Sequence, residues 1–312
     1  MDKKTRMMVI LNAAAGTAQV AGGETVEARL AEIFADGGVD AHIALAKDTA
    51  ELTSLAERAA GEQYPVVVAG GGDGTINLVA SKIVGTESLL GVLPLGTLNH
   101  FAKDLRIPLD LEQATQIIID GHAVRVDVGE VNGQIFINNS SLGLYPSIVR
   151  HRERQQERLG RSKWHALFWA GLTVLRRYPF LSVRLTVDGE ALTRRTPIVF
   201  IGNNEYEMNG LQIGARSCLD KRHLSLYVAH RVGRARLIQL SLAALFGWHP
   251  GEAPDFDQMC VEELWIETRR NRLLVATDGE VSVMQAPLHY RIRPGVLRVI
   301  VPRAEDERKG EN

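Results

Sequence analysis

An apolar run that stops abruptly in a cluster of glycines constrains the fold of this chain more than any other feature. Val66-Val67-Val68-Ala69 leads directly into Gly70-Gly71-Gly72-Asp73-Gly74-Thr75. An unbroken run of β-branched and small apolar residues is typical of a strand buried on both faces, and glycines permit close backbone approaches. A helix predicted over residues 76–83 would aim its N-terminal N–H groups at this turn. The segment therefore predicts a phosphate-binding turn between a strand and a helix.

Two further turns have the same character. A short apolar run at residues 89–93 is followed by Pro94-Leu95-Gly96-Thr97-Leu98-Asn99-His100-Phe101-Ala102, and a first strand at residues 7–11 is followed by Asn12-Ala13-Ala14-Ala15-Gly16. In an open parallel sheet, ligands bind beyond the carboxyl ends of the strands, where neighbouring loops converge. We therefore expect the three turns to line one pocket.

The order of elements predicts two domains of different class. Through residue 124, apolar strands alternate with helices near residues 23–35, 49–60 and 77–84, which predicts a Rossmann-like parallel α/β sheet. From residue 125 short strands dominate, which predicts an all-β sandwich or barrel with helical insertions. Turn chemistry at residues 187–190 and 293–296 predicts two hairpins.

Three sequence boxes together resemble the diacylglycerol kinase catalytic family, in its soluble bacterial branch. They are GGGDGT at residues 70–75, PLGTLNHFA at residues 94–102 and TDGE at residues 277–280. The first box is shared with NAD kinases, whereas GTLNHFA resembles the pattern of diacylglycerol and sphingosine kinases and not the corresponding NAD kinase segment. The resemblance covers nearly the whole chain.

The resemblance implies a division of labour between the domains. Residues 1–124 would bind ATP, joined by a final strand near residues 296–302, and residues 125–295 would bind the lipid. Residues 125–129 and 138–143 would form the hinge. The implied reaction transfers the γ-phosphate of ATP to a lipid hydroxyl, with diacylglycerol as the leading acceptor. Phosphatidylglycerol, sphingoid bases and other long-chain alcohols stay open.

The resemblance also implies roles for individual residues. The ATP-binding set would be Asn12, Gly16, Gly71, Gly72, Asp73, Gly74, Thr75, Asn77, Gly96, Thr97 and Asn99. Clustered carboxylates repel one another unless a cation lies among them, so Asp73, Asp127 and Asp278 are expected in a network with Mg²⁺ and water. Phosphoryl transfer needs a group that accepts the hydroxyl proton. Glu280 is the first choice for this base, and Asp278 stays open as the alternative.

A second metal site of the family is expected to be absent here. Family members often carry an Asp-Asp-Gly turn that binds a structural Mg²⁺, and this chain has Asp220-Lys221-Arg222 in its place. Only the carboxylate of Asp220 remains, which argues against a metal. The hypothesis is that Lys221 supplies the missing positive charge.

Charge and composition limit the kinds of partner and the compartment that we expect. The net charge of −1 over 312 residues gives no global field that would select nucleic acid, and two cysteines are too few for a disulfide framework, which favours the cytoplasm. Residues 150–177 carry eight Arg or Lys against two Glu, interleaved with Trp164, Phe168 and Trp169. This pattern predicts peripheral contact with the anionic inner face of the membrane, and a solvated charged face is the alternative.

Two other functions stay open at this stage. One is an NAD kinase-like or other small-molecule kinase built on the same GGDGT core, and the other is a nucleotide-binding regulator without turnover. A soluble acceptor would favour the first, and ATP binding without transfer would favour the second. A homodimer is also left open.

Overall fold

The computed structural model describes residues 6–16, 18, 23–143, 146, 180–187, 190–209, 212–216, 219–229 and 256–303. The chain divides into two units, the first comprising Met1–Val128 with Pro294–Asn312 and the second Gly129–Arg293. The predicted boundary follows residue 124, and the structural division follows residue 128. The predicted membrane segment, residues 150–177, and the predicted helical insertions lie outside the described residues.

The first unit is a parallel sheet with helices. Its own strands are β1 (Arg6–Asn12), β2 (Asp40–Ala46), β3 (Val66–Gly71) and β4 (Leu89–Pro94), in the order β2-β1-β3-β4. The last strand of the chain, β18 (Leu288–Val301), joins beside β4 in parallel through Arg298 and Val299. The helices are α1 (Ala13–Gly16), α2 (Val26–Asp36), α3 (Thr49–Gly61), α4 (Asp73–Ile83), α5 (His100–Asp104) and α6 (Leu111–Asp120).

Local sequence explains most of these elements. Every residue of β3 is buried, as expected for the apolar central strand of a parallel sheet. The side chains of Thr25, Asp48 and Asp110 accept backbone N–H bonds at the starts of α2, α3 and α6, which satisfies donors that a helix leaves unpaired. Among the helices of the described ranges, none is long and apolar enough to cross a membrane.

The second unit is an antiparallel β sandwich. Its strands are β5 (His122–Val131, which begins in the first unit), β6 (Gln134–Phe136), β7 (Asn139–Gly143), β8 (Leu181–Val187), β9 (Glu190–Thr196), β10 (Ile198–Asn203), β11 (Tyr206–Asn209), β12 (Gln212–Arg216), β13 (Leu224–Ala229), β14 (Phe256–Val261), β15 (Glu263–Thr268), β16 (Arg272–Thr277) and β17 (Glu280–Gln285). One sheet has the order β14-β13-β10-β7-β16-β17. The other contains the first part of β18 with β15, β8 and β9, and β11 pairs with β12.

The core of the second unit lies between its two sheets. Leu142 and Ile201 of the first sheet are fully buried in one cluster with Leu185, Ile266 and Tyr290 of the other. Apolar side chains alternate with exposed ones along β15, as a half-buried strand requires. The predicted fold class, a parallel α/β domain followed by an antiparallel β sandwich, is confirmed.

The prediction of a hairpin at residues 293–296 is wrong, because these residues lie within the continuous strand β18. Only Gly295 adopts a left-handed conformation, at φ +60°. The Asp127 carboxylate accepts its N–H at 2.8 Å, and Arg125 donates to its carbonyl at 3.2 Å. Glycine adopts a left-handed conformation without steric cost, so one such residue is accommodated within the strand and does not reverse the chain.

Part of the predicted hinge is also a strand. Residues 139–143 form β7, which pairs with β10 on one side and β16 on the other. Leu142 is buried in the sandwich core, and the Ser140 hydroxyl lies 3.0 Å from that of Tyr290. These inward contacts make the segment an interior strand rather than a linker.

Candidate functional site

The turns after β3 and β4 touch each other through two glycines. A Cβ built on Gly96 would lie 2.4 Å from the Cα of Gly72, a distance that real Cβ atoms do not occupy. The N–H of Leu95 also donates to the carbonyl of Gly71 at 3.1 Å. Only glycine at position 96 permits this approach, since a side chain would displace the neighbouring backbone. The two turns therefore form one continuous surface at the carboxyl edge of the parallel sheet.

Helix α4 begins at this surface without a side-chain cap. Gly72 is its N-cap residue and makes no side-chain hydrogen bond to the first turn, in contrast to the Thr and Asp caps of α2, α3 and α6. A Cβ on Gly71 would lie 2.6 Å from Oγ1 of Thr75, so glycine there makes room for that buried threonine. The start of α4 thus leaves the capping position to a ligand anion.

Two oxygen-bearing side chains lie one turn apart on α4. Oδ1 of Asp73 accepts the N–H of Phe101 at 3.2 Å, which ties the start of α4 to the first turn of α5. Asn77, four residues later and hence on the same face, is only 9% exposed, and its Oδ1 has no hydrogen-bond partner among the residues that the structure describes. A buried unpaired acceptor costs about 1–3 kcal/mol. Asn77 Oδ1 therefore marks a place for a ligand group.

The predicted residues of the second turn divide into two kinds. Asn99 is buried at φ +52°, and its amide is used within the turn. Its Nδ2 donates to the carbonyls of Pro94 at 3.1 Å and Gly96 at 2.9 Å, and its Oδ1 accepts the N–H of Gly96 at 3.0 Å. Thr97 is exposed at the tip of the turn. Asn99 thus shapes the turn, while the Thr97 hydroxyl is open to a ligand.

The first turn lies at the same edge of the sheet, because β1 pairs with β3 up to Leu11 and Gly70. Asn12 is exposed at the end of β1, and its Oδ1 accepts the N–H of Ala14 at 3.0 Å. The expected loop is a short helix, α1, which ends at Gly16. Asn12 therefore caps α1 beside the glycine turn.

Asp127 lies in the first unit but is only 2% exposed. Its Oδ1 accepts the N–H of Gly295 at 2.8 Å, so this carboxylate holds the left-handed glycine of β18 in place. Within the ranges that the structure describes, no three His, Cys, Asp or Glu side chains cluster closely enough to hold a metal. Mg²⁺ at kinase sites is usually held by one or two carboxylates together with substrate phosphates and water. Asp73 fits that requirement as the carboxylate, the amide oxygen of Asn77 is a second oxygen on the same helix face, and a role for Asp127 stays a prediction.

Asp278 and Glu280 belong to the second unit, in the turn between β16 and β17. Asp278 and Gly279 are both left-handed, at φ +48° and +87°, which is the conformation of a tight two-residue hairpin. Although the residue is partly exposed, burial of its carboxylate raises the pKa of Asp278 to about 6, opposed by three backbone N–H groups and the Arg216 guanidinium. Glu280 opens β17 and is exposed. The meeting of this turn with Asp73 stays a prediction.

The Asp220 region does not fit a metal. Asp220 is exposed, and the neighbouring Lys221 places its Nζ 3.2 Å from the Glu205 carboxylate. The Lys221 N–H donates to Oδ1 of Asn204 at 3.0 Å, which anchors the turn. The Lys221 ammonium thus pairs with Glu205, and the hypothesis that it supplies a missing cation's charge stays a prediction.

Sequence reasoning missed a buried polar group in the second unit. Arg216, the last residue of β12, is only 3% exposed and donates to the carbonyls of Ile137 and Asn203. An arginine that closes a short strand is an available signal, but its partners are distant in sequence.

Comparison with known proteins covers both units. Residues 6–131 match the model of the diacylglycerol kinase catalytic domain, and residues 144–301 match that of the YegS C-terminal NAD kinase beta sandwich-like domain. The diacylglycerol kinase of Staphylococcus aureus (strain Newman) is 29% identical over 201 residues, which cover 64% of this chain and 63% of that protein. The match thus spans less than two thirds of the relative's length.

Solved structures share the fold. The crystal structure of a diacylglycerol kinase from Bacillus anthracis str. Sterne superposes with a TM-score of 0.68 at 20% identity, over 97% of this chain and 99% of that one. A second structure from the same organism, provisionally assigned as a diacylglycerol kinase, gives a TM-score of 0.72 at 24% identity with the same coverage. These structures show that the fold is shared, and the two family models, which together match residues 6–131 and 144–301, show that the chain belongs to the diacylglycerol kinase catalytic family.

Proposed function

We propose that this protein is an ATP- and Mg²⁺-dependent lipid kinase, with diacylglycerol as the leading acceptor and phosphatidate as the product. The observation that carries the proposal is the contact of Gly72 with Gly96 at the uncapped start of α4, within a chain of this kinase family. The turns offer backbone N–H groups and a helix dipole to an anion. ATP is the anion that a kinase of this family would place there.

The first unit would position the nucleotide. Backbone N–H groups at the start of α4 would contact the phosphates, and glycine at position 72 would let them approach the backbone. The hydroxyl of Thr97 would add a donor from the second turn. Asp73 and the Asn77 amide oxygen would hold Mg²⁺, which neutralises charge on the β- and γ-phosphates when bound.

Glu280 would act as the general base. The lipid hydroxyl oxygen forms a bond to the γ-phosphorus, the bond between that phosphorus and the bridging oxygen breaks, and ADP leaves with the electron pair. The hydroxyl proton passes to the Glu280 carboxylate. Glu280 is exposed, so a hydroxyl can approach it, whereas the Asp278 carboxylate already accepts three backbone N–H bonds.

The acceptor's chemistry implies a place of action. Diacylglycerol stays in the bilayer, so the kinase would work at the cytoplasmic membrane surface, where ATP is present. The basic, aromatic segment at residues 150–177 is the proposed contact with anionic lipid. In this setting the product would feed phospholipid synthesis.

Glutamine at position 280 tests the base. Glu280→Gln keeps the side chain's size and removes its ability to accept the proton, so turnover on diacylglycerol micelles should fall about 10²- to 10⁴-fold. Glu267→Gln is the matched control, because Glu267 is another exposed strand glutamate of the second unit. Near-normal turnover by Glu280→Gln would move the base role to Asp278.

One observation favours an NAD kinase-like alternative, namely that the C-terminal match is described as NAD kinase beta sandwich-like. Phosphate transfer to NAD, without stimulation by micelles, would support that function. ATP binding without transfer to any acceptor would instead support a regulator.

A further inference from the structure

A buried polar network encloses three consecutive residues of the second unit, Ile137, Asn138 and Asn139, here called the 137–139 segment. Ile137 and Asn138 are 1% and 4% exposed. Every backbone N–H and C=O of the segment is bound by a group distant in sequence. Buried backbone groups must be paired, but secondary structure usually supplies the partners. Here much of that task falls to side chains.

Asp278 binds the N–H side of the segment. Its Oδ2 accepts the N–H of Ile137 at 2.7 Å, and its Oδ1 accepts those of Asn138 at 2.8 Å and Asn139 at 2.9 Å. Its own N–H donates to the carbonyl of Asn139 at 2.9 Å. Hydrogen bonds to an ionised acceptor are about twice as strong as neutral ones. The Asp278 carboxylate thus accepts three hydrogen bonds from the backbone of the 137–139 segment.

Arg216 binds the opposite side. Its Nη1 donates to the carbonyl of Ile137 at 2.7 Å, and its Nη2 donates to Oδ1 of Asn138 at 2.8 Å. Its guanidinium lies 5.2 Å from the ring centroid of Tyr206, whose hydroxyl donates to the Asn138 carbonyl at 2.9 Å. A buried charge is costly unless its hydrogen bonds are satisfied. A guanidinium buried here thus fixes the segment from the side opposite to Asp278.

The network also fixes the turn that carries Glu280. Asp278 and Gly279 are the two central residues of that turn, and Thr277 pairs with Glu280 across it. Thr277 is itself 1% exposed, and its Oγ1 accepts a bond from Gln134 at 3.1 Å. A displacement of about 1 Å at a reacting group can cost about 10²-fold in rate. The backbone position of Glu280 therefore depends on bonds made by its neighbour at 278.

We propose that Asp278 and Arg216 are positioning residues, which grip the 137–139 segment from its two sides and so hold the 278–279 turn that presents Glu280. This inference rests on the proposed function, in which Glu280 is the base. It gives Asp278 a role different from the two expected from the sequence, the alternative base and a member of the Mg²⁺ network, because the residue then acts through the backbone.

The test compares Asp278→Asn and Arg216→Met with a matched control, Asp257→Asn. The control removes a carboxylate charge of the same unit, whose partner is the Arg194 side chain at 3.3 Å. Either positioning variant should lower kcat 10- to 100-fold, while the KM for ATP and the Mg²⁺ concentration for half-maximal rate change less than twofold. Arg216→Lys should recover part of the loss. The double variant should lose no more than the worse single one, because both residues hold one segment.

Other results would overturn the proposal. Additive losses in the double variant would show that the two residues act independently, and a tenfold rise in the Mg²⁺ requirement of Asp278→Asn would make Asp278 a metal ligand instead. Hydrogen exchange separates failure of this inference from failure of the proposed function. If wild type transfers phosphate to no lipid, the function fails, while faster exchange of the Asn138 and Asn139 amides in Asp278→Asn still supports the grip. Unchanged exchange of both amides overturns it.

Discussion

Alanine at position 96 is the sharpest probe of the contact between the two glycine turns. The added Cβ would lie 2.4 Å from Gly72 Cα and 2.8 Å from Oδ1 of Asn99. Ordinary contact begins near 3.4 Å, so the turns must separate by roughly 1 Å. The first obstacle is backbone, which cannot rotate away as a side chain could.

Gly96→Ala should affect activity more than stability. Overpacking of this kind costs about 1–3 kcal/mol, and a displacement of about 1 Å at a substrate-positioning group costs about 10²-fold in rate. We therefore expect Gly96→Ala to lower kcat/KM for ATP about 100-fold while the protein stays folded. Steady-state kinetics and thermal unfolding measure the two effects.

The matched control is Gly61→Ala. A Cβ on Gly61 would meet nothing within 4 Å, and this glycine has an ordinary backbone conformation. The control should keep its activity and its melting temperature. Wild-type kcat/KM in Gly96→Ala would refute the reasoning, because it would mean that the separation of the turns does not matter to the nucleotide.

Three further predictions follow from single residues. Gly72→Ala should change the melting temperature by no more than about 2 °C, since the added Cβ would lie at an ordinary distance of 3.6 Å from Gly96 Cα. It should nevertheless weaken ATP binding, measured by calorimetry, at least tenfold. Unaltered binding would mean that no phosphate approaches Gly72. Asn77→Leu should not destabilise the protein, because the Oδ1 of Asn77 is buried without a partner among the described residues. The variant should nevertheless have lower turnover. A drop in its melting temperature would show that the amide is needed structurally. Burial raises the pKa of Asp278 to about 6, against an ordinary 3.8, so the protonated carboxyl favours the folded state. This contribution to the free energy of unfolding is fully present below about pH 4 and is lost, by about 3 kcal/mol, as the pH rises through 6. Urea unfolding of wild type and of Asp278→Asn measures it: the free energy of unfolding of wild type minus that of the variant should fall between pH 4 and pH 7, and a constant difference would contradict this.

The elements that local sequence determines were predictable. The run before Gly70 gives β3, and the turn chemistry at residues 187–190 gives the antiparallel pairing of β8 with β9, in which Val187 pairs with Glu190. Helix α4 starts at Asp73, three residues before the predicted start at residue 76. Aspartate and glycine have low helix propensity in a helix interior, which favoured the later start. In the first turn aspartate is instead favourable, because its negative charge lies near the positive end of the helix dipole. Strands β9 and β10 are separated at Pro197, which has no N–H to donate to a ladder.

Tertiary contacts explain what the sequence could not reveal. Pro294-Gly295 reads as a turn, but Asp127 and Arg125 hold Gly295 within a continuous strand. Likewise, the glycines of the two turns are legible as a phosphate site, whereas nothing near Arg216 indicates that its partners are Ile137 and Asn138. Each of these contacts joins residues far apart in the chain, so local propensity carries no signal of them.

Phosphate transfer from radiolabelled ATP, with Mg²⁺, into a panel of micellar lipids tests the central claim most directly. The panel contains diacylglycerol, phosphatidylglycerol and a sphingoid base, with soluble NAD assayed in parallel and Glu280→Gln as the low-activity reference. We expect label in a lipid, most strongly in diacylglycerol, and about 10²- to 10⁴-fold slower labelling with the variant. Label in NADP alone, or in no acceptor while ATP still binds, would contradict the lipid kinase assignment.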